Sequence, residues 1–170
     1  MHTFPSSTLY PAEPQVLFCQ PYGQILYYPA YKVLYTEIIG TFTHQEYRRL
    51  YTFLLGVLKT YPVRGCIASQ AKSNGSSIQD RAWLVTSWFS QLKNIVGNDF
   101  ILIGLREAHD TNAFKRWIAD YLEKTLSSMA AFTVRSMPDF DSAVTYILER
   151  STLKQVDQPN EGNNKRSREQ

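Results

Sequence analysis

Cysteine, histidine and strong charge are all scarce in this chain: two cysteines, three histidines and a net charge of +3 over 170 residues. Cys19 and Cys66 lie within apolar runs (VLFCQ and GCIAS), with neither CxxC spacing nor a nearby histidine. That pattern argues against a zinc or disulfide framework and predicts reduced core thiols. His2, His44 and His109 show no metal-ligand spacing, so neither a metal nor another cofactor is expected. No basic stripe of the kind that neutralises several phosphates is present, which argues against nucleic acid as a partner. No apolar run reaches the ~20 residues that cross a bilayer. The first residues, MHTFPSSTLYPAEP, lack a charged segment followed by an apolar one. These absences predict a cytoplasmic protein with no membrane insertion.

What is present is a regular alternation of strand and helix signals. A chain of this length can form one domain that buries roughly 70% of its unfolded surface. Residues 1–15, with three prolines, read as an irregular arm. Residues 16–153 read as the domain, and 154–170 (KQVDQPNEGNNKRSREQ) as a disordered tail too polar to offset its ordering entropy. Within that tail, Lys165-Arg166-Ser167-Arg168 is short, partly offset by Glu161 and Glu169, and reads as solubilising.

Three short apolar runs, 16–20, 24–28 and 32–39, are divided by PYG and by Pro29-Ala30 and predict a meander. Thr43-x-x-Glu46 is a capping box. After it, Tyr47, Leu50, Tyr51, Leu54, Val57, Leu58 and Tyr61 recur on one helix face until Pro62. Residues 63–69 form a short buried strand, followed by a polar loop at 70–76. Ser77-x-x-Asp80 then caps a second helix. At 100° per residue its inward stripe is Ile78, Ala82, Val85, Phe89, Leu92 and Val96, with Leu84, Trp88 and Ile95 beside it. That leaves Trp83 on the polar side. FILIGL (100–105) is the cleanest buried strand; the turn 106–110, a helix over 111–127, a strand over 131–135 and a helix opened by Pro138-Asp139 complete the chain. The expected fold is α/β: a single mixed sheet of about six strands, an N-terminal antiparallel meander followed by parallel βαβ units, with four helices.

The run PYGQILYYPAYKVLYTEIIGTFTHQEYRRLY, then VRGCIAS, SIQDRAWLVTSWF and FILIGL, and the closing MPDFDSAVTYIL, resemble the small bacterial STAS-like (anti-sigma-factor-antagonist-like) proteins over residues 16–150. The resemblance implies a STAS-like fold and, by analogy, a signalling role through protein–protein interaction. In the phosphorylated members a serine opens the helix after the central strand. The corresponding place here is Asn74-Gly75-Ser76-Ser77, which makes Ser76 and Ser77 the candidate phosphorylation sites. The Asp-Ser-Ser/Thr-Gly order of those members is missing, and N-capping by Ser77 is the plainer role. Ser69 and Gln70 stand where related members often carry an acid at the end of the central strand.

Three functional readings follow. The leading one is a non-enzymatic regulatory or interaction module. It meets an unidentified protein or a second copy (a homodimer) through Trp83, Asn74, Gly75, Ser76 and Ser77, because a tryptophan on a polar helix face suits a binding hot spot. The plainer alternative for Trp83 is coverage by the arm or the preceding loop. The second reading is a carrier that holds a small apolar or amphipathic ligand between sheet and helices. The third, a hydrolase built on Glu107 and His109, lacks a nucleophile elbow and ranks last.

Overall fold

The computed structural model describes residues 5, 9–105 and 132–156. The turn with Glu107 and His109, the helix expected over 111–127, most of the tail and part of the arm lie outside the described residues. The elements run β1 (Gln15–Gln20), β2 (Gly23–Tyr28), β3 (Val33–Gly40), α1 (His44–Thr60), β4 (Gly65–Ser73), α2 (Ile78–Trp83), a π-helical turn (Leu84–Trp88), α3 (Phe89–Ile95), β5 (Ile101–Leu105), β6 (Thr133–Met137) and α4 (Phe140–Val156).

One six-stranded sheet orders the strands as they occur in the chain; β1–β2 and β2–β3 pair antiparallel, and β3–β4, β4–β5 and β5–β6 pair parallel. The fold is thus the expected α/β one, with a meander feeding βαβ units. Strand alternation divides the core in two. Ile25, Tyr27, Leu34, Cys66, Leu102 and Val134 point toward the α1/α3 side, while Leu26, Tyr28, Val33, Tyr35, Ile67, Ile101 and Ile103 meet Phe140, Ala143, Val144 and Ile147 of α4. Gly65 permits this close approach, because a Cβ there would lie 2.8 Å from the Ile101 carbonyl oxygen and 2.9 Å from the Ile147 side chain.

Two expectations fail for identifiable reasons. Cys19 is exposed, whereas Cys66 is buried and its thiol is pushed up to about 12 by burial. Cys19 belongs to the edge strand and, by alternation with Phe18, points to the α4 side, but α4 packs chiefly on β4, β5 and β6 and reaches β2 and β3 with Phe140, leaving Cys19 exposed. The second helix is also not a continuous α-helix. Its π turn adds one residue, so the buried stripe upstream shifts by one position relative to a 3.6-residue period. Leu84 and Val85 both pack against the core, but at the start of the helix the inward position, counted back from the buried pair Leu92 and Trp88, is Asp80 instead of Ile78. Ile78 is left 83% exposed and Asp80 only 2% exposed.

Candidate interaction site

The loops that leave the C-terminal ends of β3 and β4 are neighbours, as the parallel pairing of those strands requires. The Asn74 N–H donates to the Gly40 carbonyl (3.0 Å), and Asn74 Nδ2 donates to Thr41 Oγ1 (2.8 Å). Gly75, at φ +99°, makes the bend in which its own N–H donates to Ser73 Oγ (2.9 Å). The loops therefore present the starts of α1 and α2 side by side.

Both starts are closed by the chain's own side chains. Thr43 and Glu46 form the expected capping box, with the Thr43 N–H donating to Glu46 Oε2 at 2.7 Å. Ser77 caps α2: its Oγ accepts from the Asp80 N–H (3.0 Å) and donates to Asp80 Oδ2 (2.7 Å). His44 Nδ1 donates to the other carboxylate oxygen, Oδ1, at 2.7 Å. Burial pushes the Asp80 carboxyl up, but the hydrogen bonds from Ser77 and His44 outweigh it and hold the group below its ordinary value. The Asn74, Gly75 and Asp80 N–H groups are thus taken by Gly40, Ser73 and Ser77, as in an ordinary helix entry.

The residues singled out from the sequence fall in different settings. Asn74, Gly75 and Ser77 are at the surface, but Ser76 is buried, and its carbonyl accepts from Arg81 Nε (3.2 Å) and Nη2 (2.8 Å). A phosphate on Ser77 Oγ would face the Asp80 carboxylate, a like-charge contact that opposes its formation. Trp83 is half-buried rather than on a free polar face. Its ring meets Tyr47 edge-on with centroids 6.4 Å apart, and the Arg48 guanidinium carbon lies 5.3 Å from its centroid. The cover is thus α1. The described part of the arm runs over the opposite side of the sheet, where Tyr10 meets Tyr31 (5.8 Å) and its hydroxyl accepts from Thr145 (3.1 Å). Ile78 and Arg48 are exposed, and Trp83 partly so, on the two helices whose starts the His44–Asp80–Ser77 contacts join.

A second polar cluster escaped sequence reasoning. Glu37 of β3, with a side chain only 3% exposed, accepts from Gln24 Nε2 (2.8 Å), Tyr35 Oη (3.1 Å) and Lys72 Nζ (3.1 Å). Its cross-strand partner is Ser69. An irregularity in register sets Glu37 opposite Ser69 but Ile39 opposite Lys72, which turns the lysine onto the face that bears Glu37. The stretch 70–73, expected as loop, continues β4 to Ser73, so Lys72 is a strand residue that pairs with the buried Glu37, and only the tertiary pairing announces it.

A groove of about 550 Å³ along the flank of α4 is lined by Leu9, Met137, Asp139 and Glu149 among others. It is partly acidic and lies on the surface, away from the sheet–helix interior where a carried apolar ligand would sit. Among the described residues no group of three or more His, Cys, Asp or Glu side chains could hold a metal ion, and no helix is long and apolar enough to cross a membrane. Comparison with protein-family models gives no match for this chain, and comparison with curated protein sequences gives none either.

The cap at Ser77 gives a direct check on this junction. Ser77→Ala removes a capping acceptor and one of the donors that orient Asp80, and is expected to lower unfolding stability by about 1–2 kcal/mol in urea denaturation. A change indistinguishable from zero would show that the junction does not hold the two helix starts.

Proposed function

We propose that this chain is a non-enzymatic regulatory or protein-interaction module of STAS-like type, and that it meets another protein or a second copy through the start of α2, its entry loop and Trp83. One observation carries this reading: Ile78 is 83% exposed in the first turn of α2, the helix whose last residue, Trp83, is half-buried and lies against Arg48. Trp and Arg are enriched at binding hot spots, and an exposed apolar side chain on the same helix adds surface that a partner can bury. The knit loops support the reading, because a pre-ordered surface loses little entropy when it docks. Serine phosphorylation is not needed for it.

The packing of Trp83 against Tyr47 makes Trp83→Ala a poor probe, since truncation disturbs the α1/α2 contact as well as the surface. Ile78→Asp changes an exposed side chain alone. Its unfolding midpoint is expected to match that of the wild type, while association falls by about tenfold or more, the loss a hot-spot residue confers. Association is read by sedimentation velocity for self-contact. For other partners it is read by comparing proteins captured on wild-type and variant baits. Equal association of the two chains on both measures would reject this surface.

A further inference from the structure

The one imidazole within the described residues whose partner is a buried carboxylate is His44, and nothing in the docking reading uses it. Asp80 is held from two sides by Ser77, through its backbone N–H and Oδ2, and offers Oδ1 to His44 Nδ1 at 2.7 Å. A carboxylate only accepts, so the proton is on Nδ1 and the lone pair on Nε2. The His44 side chain is 53% exposed and the Asp80 side chain 3%. Since the Nδ1 edge faces the buried acid, the solvent-facing edge is the one that carries Nε2. A carboxylate behind an imidazole fixes its tautomer and orientation and balances a positive charge that develops on the ring. Those are the requirements of a nucleophilic histidine.

We propose that His44 accepts a phosphoryl group on Nε2 from a donor of the phosphoramidate or acyl-phosphate class. The Nε2 lone pair attacks phosphorus, and the N–P bond forms as the donor's P–N or P–O bond breaks. The leaving group (ammonia or a carboxylate) departs with the electron pair. The ring then carries a positive charge with its proton still on Nδ1, and Asp80 compensates that charge. No oxidation or further reactant is involved. Arg48 lies one helical turn after His44 on the same face of α1. The added phosphoryl charge therefore arrives beside the Arg48–Trp83 contact and changes the electrostatics of the proposed docking surface. In that respect the proposal is a regulation of the surface described above, but the reactivity of His44 stands apart from any docking.

The test treats the full chain with potassium phosphoramidate and follows phosphorylation by intact mass and by site-resolved tandem mass spectrometry under neutral to alkaline conditions. His2 and His109 serve as internal references. His44 is expected to react about tenfold faster than either, and Asp80→Asn is expected to slow it by about tenfold, the range seen when a group that orients a histidine is lost. Labelling of His44 no faster than His2 and His109 overturns the proposal, as does an unchanged rate in a folded Asp80→Asn chain. If Asp80→Asn fails to fold, the comparison within the wild type decides alone. Failure of Ile78→Asp to affect association leaves these rates untouched, so the two readings fail separately.

Discussion

Trp88→Ala is expected to lower the unfolding free energy by about 3–5 kcal/mol, the range for truncating a large buried aromatic. Trp88 is 2% exposed and sits between Tyr51 and Phe89, with edge-on centroid distances of 5.2 Å to each. Its indole Nε1 donates to the Tyr51 carbonyl at 2.7 Å, which ties the π turn to α1. Alanine leaves a cavity that the surrounding rings cannot close and removes a buried hydrogen bond. Trp88→Phe keeps an aromatic ring in the site, losing the donor and the smaller part of the indole, and should cost less, about 1–2 kcal/mol. Urea denaturation with the slope held fixed measures both. A loss below about 1 kcal/mol for Trp88→Ala, the size of an average substitution, would show that the helix layer does not depend on this side chain.

Lys72→Met is expected to cost about 2–3 kcal/mol, although lysine is more often a solvated residue whose replacement is neutral. The reason is its partner. Glu37 is buried, and without the ammonium its charge keeps only the neutral donors Gln24 and Tyr35. Burial raises the Tyr35 phenol, so it remains protonated and continues to donate. Removing one member of a buried pair typically costs about 3–5 kcal/mol, and the lower figure here reflects a lysine side chain that is 45% exposed. The double variant Glu37→Gln/Lys72→Met removes the charge with its partner and should recover most of the loss. If Lys72→Met alone stays within about 0.5 kcal/mol of wild type, the pair behaves as an ordinary surface contact.

The contrast between these side chains shows where the sequence can be read. Thr43 and Glu46 announce their capping box because the partners are three residues apart and need only the helix itself. The inward face Tyr47, Leu50, Tyr51, Leu54, Val57 and Leu58 is likewise legible, since a 3.6-residue period maps directly onto burial. The same period misleads in the second helix. A π turn leaves no signature in apolar spacing, so Ile78 reads as core although it is exposed, and nothing in the cap signal Ser77-x-x-Asp80 marks Asp80 as buried. The Asn74–Thr41 and His44–Asp80 contacts join residues more than thirty apart, and local pattern carries no trace of them.

Sequence by itself determined the alternation of strands and helices, the helix entries at Thr43 and Ser77 and the parallel part of the sheet. Each of these follows from local hydrogen-bond demand and from the side-chain period of a single element. Tertiary structure alone decided that Glu37 is buried against Lys72, that Trp83 lies against α1, and that His44 rests on a carboxylate. Those outcomes depend on the register between β3 and β4 and on an extra residue in one helical turn. Both set which side chains meet across elements without altering the residues within any one of them.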